Sequence, residues 1–121
     1  MVFDFEKMYC GAIRRGDVFL CLHDKKELLV VVLQDHILNE RLSTVVVAQI
    51  LPHQAGDKIF KNEVFLKGTE TGLGENGIGA LHKIFTVDRR QMIAKKGELT
   101  KEKLQEVFEA MDINCGRFRD R

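Results

Sequence analysis

Gly16-Asp17-Val18-Phe19-Leu20-Cys21-Leu22, then Asp24-Lys25-Lys26, then Glu27-Leu28-Leu29-Val30-Val31-Val32-Leu33: this stretch decides how the rest of the chain is read. A Gly-Asp turn opens a β-branched and aromatic run. The charged break turns the chain into a second run that is apolar on both faces. Strands of that kind need cover on each side, so the remaining chain is read as supplying it, either as further strands or as a helix over the sheet.

Downstream, residues 43–51 form a third strand that Pro52 stops by removing a donor. With residues 62–67 and 78–87, the pattern predicts five strands near 17–23, 28–34, 43–51, 62–67 and 78–87. Residues 34–42 read as a polar loop with an Asx-type turn at Asp35, and 53–61 as a second loop. Asp88 is placed to cap a short helical turn over 89–96, ended by Gly97.

The clearest helix spans 100–113. Thr100 is its N-cap, Leu99 and Leu104 form a hydrophobic staple, and Leu104, Val107, Phe108 and Met111 fall on one packing face. Residues 1–13 fit either a short helix or an irregular arm, and 114–121 read as a basic, frayed tail. The expected fold is mainly β with a C-terminal α-helix, a small antiparallel barrel forming a single domain over 1–121.

Composition narrows the class. With 121 residues, 45% hydrophobic and 31% charged, the chain is long enough to build one core without disulfides or metal. The formal charge of +1 makes no global case for nucleic acid, although basic pairs recur at Arg14-Arg15, Lys25-Lys26, Arg89-Arg90 and Lys95-Lys96. Cys10, Cys21 and Cys115 are odd in number and widely spaced, which points to a reducing compartment, the cytoplasm. No apolar run is long enough for a membrane span.

Two chemical signals are set aside. Residues 72–79 contain a literal G-x-G-x-x-G, but the exit reads as a strand rather than a helix, so the glycines are assigned to turns. His23, His36 and His53 sit at strand ends without zinc spacing, so no metal and no cofactor is expected. Cys21 and His23 lie on one strand face, too far apart for a thiol-imidazole dyad.

Three blocks resemble a known family. Arg15-Gly16-Asp17-Val18 is similar to an R-G-D-[IV] strand opening. Gln34-Asp35 to Arg41, leading into Thr44-Val45-Val46-Val47-Ala48, is similar to an N-D-x-x-N-R loop and T-x-x-V-A strand. Thr86-Val87-Asp88-Arg89-Arg90-Gln91-Met92 is similar to T-[IV]-D-[KR]-x-R-[LM]. In this order the blocks resemble the MazF/PemK/Kid toxins of bacterial toxin-antitoxin pairs, whose SH3-like barrel is shared with the gyrase poison CcdB. The resemblance covers residues 14–113 and implies a cytoplasmic homodimer that cuts single-stranded RNA without metal and is restrained by an antitoxin peptide.

The chain departs from that family where the chemistry is usually assigned. The long loop between strands one and two is cut to Asp24-Lys25-Lys26, the family's Arg-Pro pair aligns with Glu27-Leu28, and its Thr after strand three aligns with Leu51. Phe85 stands where an Arg is usual. Candidate substitutes are His82 as general base, since histidine titrates near neutrality, and Lys25 and Lys26 as phosphate charge. Arg15, Arg89 and Arg90 are candidate RNA contacts. The expectation is therefore a toxin of the mRNA interferase type with a rearranged or weakened site. The alternative is a degenerate binding module that dimerises and engages an antitoxin peptide, nucleic acid or a gyrase-like protein.

Overall fold

The turn at Asp24 and Lys25 sets the sheet. Both residues adopt the left-handed backbone, with φ of 49° and 66°, and His23 pairs directly with Lys26. The hairpin thus closes with two residues, in the turn geometry whose twist matches the flanking strands. The computed structural model describes residues 8–117 and continues this hairpin, β1 (Asp17–His23) and β2 (Lys26–Val32), into a six-stranded antiparallel sheet. The other strands are β3 (Thr44–Pro52), β4 (Glu63–Leu66), β5 (Gly77–Asp88) and β6 (Met92–Glu98), in spatial order β4-β5-β3-β2-β1-β6.

The sheet is open by its hydrogen bonds but strongly curled. β1 and β5 are separated by β2 and β3, a span of about 14 Å in a flat sheet, yet the His23 and Phe85 rings stack with centroids 4.5 Å apart. Both faces are apolar, as the β1–β2 sequence predicts, and each has its own core. Val18, Val31, Ala48, Ile50 and Leu81 pack on one face under a helix, α3 (Lys101–Cys115). Phe19, Cys21, Val30, Val45, Val47 and Met92 pack on the other.

The arm before β1 covers that second core. Tyr9 donates its backbone N–H to the Met92 carbonyl (2.8 Å) and sets its ring edge-on to Phe19 at 4.8 Å, and Ile13 is buried. Within residues 8–13, then, the arm is the form adopted. Residues 1–7 and 118–121 lie outside the described residues.

α3 begins as its sequence dictates. The Thr100 hydroxyl accepts from the Lys103 N–H, and Leu99 and Leu104 both pack against the core. Val107 and Ala110 are the fully buried positions, with Leu104, Phe108 and Met111 half-buried at their sides. The helix runs to Cys115 and ends at Gly116 in the left-handed conformation, so the tail expected from 114 starts two residues later.

Three further expectations are corrected. The helical turn assigned to 89–96 is a single 3-10 turn, Arg89–Gln91, and the chain then forms β6 against β1. Met92-Ile93-Ala94-Lys95-Lys96 has little strand character, so pairing with β1 outweighs propensity. The loop assigned to 34–42 contains a helix, α1 (His36–Arg41), capped by Asp35, whose carboxylate accepts from Leu38 N–H. The hairpin turn is two residues rather than three.

Both sheet edges are blunted: β4 has only four residues, and β6 carries Lys95, Lys96 and two register shifts. α2 (Gly68–Thr71), which follows β4, packs against β6, so the two edges are tied across the curl. Among the described residues, no helix is long and apolar enough to cross a membrane.

Candidate functional site

The motif residues gather at the end of the sheet where β1 and β3 start and β2 and β5 finish. Asn39 of α1 is fully buried there. Its amide donates to the carbonyls of Ile13 and Gln34 (both 2.9 Å) and accepts from the Gln34 side chain at 2.8 Å. Arg89 reaches back to the Asn39 carbonyl (2.8 Å) and the Gly11 carbonyl (3.0 Å), joining α1 and the arm to the end of β5. Asp17, also buried, accepts from Arg14 N–H at 2.8 Å and faces Lys95 at 3.4 Å. Burial pulls the Lys95 pKa down, but the hydrogen bond to Glu98 and the charge of Asp17 outweigh it and the net direction is up.

The candidate RNA-contact arginines are thus engaged within the protein. Arg15 donates to the Leu33 carbonyl at 2.9 Å and lies 5.1 Å over the Phe108 ring. Arg90 grips Asp88 through two guanidinium nitrogens, at 3.0 and 2.9 Å, and this hydrogen bonding holds the Asp88 carboxyl below its ordinary value. Such bidentate pairing is the strong form of an Arg-carboxylate contact. Arg15 and Arg90 remain exposed, so their outer edges face solvent.

The candidate catalytic residues make no direct contact with one another. Lys25 occupies the second position of the hairpin turn, Lys26 pairs opposite His23, and both are exposed. His82 is exposed on β5 within a register shift, where Ala80 faces Gln49 and Ile84 faces Ala48. Phe85 brings β5 to the hairpin through His23, but no hydrogen bond, ion pair or ring contact joins His82 to either lysine or to Arg89. Cys21 is no alternative nucleophile, because burial pushes its thiol up to about 12.

A cavity of about 210 Å³ opens at the opposite end of the sheet, where β2 and β5 start and β3 finishes. Its floor is apolar, from Leu20 and Leu29 of the hairpin and Ile50 and Leu51 of β3. Glu27, Leu73 and Glu75 stand at its exposed rim, with no basic side chain in the lining. Neither carboxylate has a hydrogen-bond or ion-pair partner among the described residues. Glu27 and Leu51 are the positions that the resemblance assigns to the catalytic Arg and Thr. Both line this one pocket.

The far wall of this pocket is fixed. Gly72 has φ of 73°, and a Cβ there would lie 2.0 Å from the Lys96 carbonyl oxygen, so only glycine lets the loop press onto β6. The buried Thr71 hydroxyl donates toward the Gly68 and Glu75 carbonyls, at 3.1 and 2.8 Å, and Asn76 accepts from Gly68 N–H. The expected turn role of the glycines holds for Gly72 and Gly74, whereas Gly77 and Gly79 lie in β5.

Residues 14–114 match the model of the PemK-like, MazF-like toxins of type II toxin-antitoxin systems. The chain belongs to that family. Three solved structures show the shared fold at low identity. An endoribonuclease in complex with its cognate antitoxin, from a mycobacterial species, is 17% identical with a TM-score of 0.73, over 87% of this chain and 96% of that one. The Mycobacterium tuberculosis toxin MazF-mt6 is 18% identical at 0.72, over 83% and 96%. MazE-MazF from Deinococcus radiodurans is 17% identical at 0.71, over 88% and 99%.

Against this toxin-family background, the signature residues of the chain are scaffold: Asp35 caps, Asn39 is a buried hub, Arg89 is a staple and Asp17 closes a turn. Sequence reasoning missed Leu73 and Glu75 as pocket residues, since they come from a loop some fifty residues beyond the hairpin with no motif to mark them.

Proposed function

We propose that the chain is the toxin of a type II toxin-antitoxin pair, acting in the cytoplasm as a homodimer, in which cleavage of single-stranded RNA is weak or absent. The observation that carries this reading is the convergence of Glu27 and Leu51 on one pocket. Metal-independent cleavage needs a base for the 2′-hydroxyl and cationic donors for the charge developing on the phosphate. A carboxylate and a leucine at those positions supply neither donor, and Glu27 repels the phosphate. Family membership and a relative solved with its antitoxin support an antitoxin peptide as partner.

The test is cleavage of single-stranded RNA in EDTA by the chain and by a Glu27→Arg, Leu51→Thr double variant. A donor to a developing oxyanion is worth roughly 10² to 10³ in rate, so the variant should exceed the parent by about 10² or more. Robust cleavage by the parent would overturn the reading. In that case His82→Ala asks whether His82 is the base: it should abolish cleavage and leave folding intact. Sedimentation showing a monomer across the micromolar range would remove the homodimer.

A further inference from the structure

The pocket between the β1–β2 hairpin and the Thr71–Gly77 loop has a chemistry of its own, an apolar floor under two unpaired carboxylates. We propose that it is a docking site for a basic-apolar peptide segment of a partner protein, one that seats an aliphatic side chain on Leu29, Ile50 and Leu51 and presents arginine or lysine to Glu27 and Glu75. The proposal deepens the functional reading above, on which it rests, by naming the partner chemistry that this site selects.

Volume, charge and rigidity support it. About 210 Å³ is below the roughly 300–1,000 Å³ typical of small-molecule sites, and suits one or two side chains of a chain passing over it. Two carboxylates at an apolar rim disfavour RNA and acidic peptides through like-charge repulsion and favour the guanidinium or ammonium of a peptide. Long basic side chains lay their methylenes on apolar surface while the charged head stays at the rim, which matches Leu73 standing beside Glu75. The loop wall is held on β6 at Gly72, so the site is formed before the partner arrives.

The test uses the full chain and short blocked peptides that alternate leucine with arginine or leucine with glutamate, titrated by calorimetry and by backbone amide NMR shifts. The basic peptide should bind, with shifts centred on Leu51, Leu73 and Gly77, and should weaken as salt rises. Glu27→Gln with Glu75→Gln should lose about tenfold in affinity, a discount suited to exposed carboxylates. Leu73→Ser should weaken binding severalfold without changing the salt dependence. All three sites are exposed, so folding is retained.

The proposal is overturned if the acidic peptide or single-stranded RNA binds this pocket as well, if the double variant binds unchanged, or if no peptide binds. It is also overturned if a simple alkylguanidine binds as tightly as the peptide, or if a second copy of the chain fills the pocket. Robust RNA cleavage together with selective binding of the basic peptide would sink the weak-cleavage reading alone. Weak cleavage without peptide binding would sink the docking site alone.

Discussion

The two ends of the sheet follow opposite rules. At the end where β1 starts, the buried polar side chains of the described residues are all satisfied: Asn39 ties three segments, and half-buried Arg89 bonds two backbone carbonyls. At the end where β2 starts, the floor is apolar, the carboxylates are exposed and unpaired, and two non-glycine residues hold positive φ. The first end carries the family's signature and builds the fold. The second forms an apolar pocket with Glu27 and Glu75 at its rim. A shared scaffold does not by itself fix activity, so each end has to be tested on its own.

Substitution at each end breaks or sharpens that contrast. The largest effect is expected from Asn39→Ala, which strands the Ile13 and Gln34 carbonyls and the Gln34 amide in a buried site. Urea unfolding should show a loss of about 3 kcal/mol. A loss under about 1 kcal/mol would mean that the hub is not a structural keystone.

Between the two ends lies Cys21, with its thiol at about 12 against an ordinary 9.0. The unfolded chain gives up this proton first as pH rises, so the native state loses stability from about pH 9 to about 12 and keeps the full contribution below pH 9. Cys21→Val should remove that share of the alkaline loss. In the native protein, Cys10 and Cys115 are exposed and should react with an alkylating reagent well before Cys21.

Smaller effects belong to the pocket end. Lys25→Gly relieves a left-handed lysine and leaves an Asp-Gly pair in the turn that favours it, which should raise stability by about 0.5 to 1 kcal/mol. Glu27→Gln and Glu75→Gln should each change stability by less than about 0.5 kcal/mol, since neither carboxylate has a partner. A large loss from either would show that the pocket end also serves the fold.

Much of this architecture was legible in the chain, for physical reasons that differ by element. β1, β2 and β3 announce themselves because both of their faces are buried, so their β-branched runs are nearly unbroken. α3 announces itself through Thr100 and its apolar stripe. β6 does not, because it is an edge strand with register shifts whose Lys95 and Lys96 guard against other strands. α1 does not, because its one buried residue is Asn39, and a search for apolar periodicity cannot see a polar core.

The site divides in the same way. Motif position singles out Glu27 and Leu51, and the two line one pocket. That Arg15 and Arg89 are spoken for does not follow from it, since their acceptors are carbonyls 18, 50 and 78 residues away in sequence. Glu75 and Leu73 reach the pocket from a loop held on β6 by the Gly72 contact, which no local pattern encodes.

The two-residue hairpin has a kinetic consequence. A long loop beside a binding site closes over its guest, and release then waits for that loop to open. With only Asp24 and Lys25 between β1 and β2, this side of the pocket has no segment to close. A partner seated there arrives without ordering a loop and departs without a gate, so its residence time is set by the contacts themselves and should lengthen or shorten in step with them.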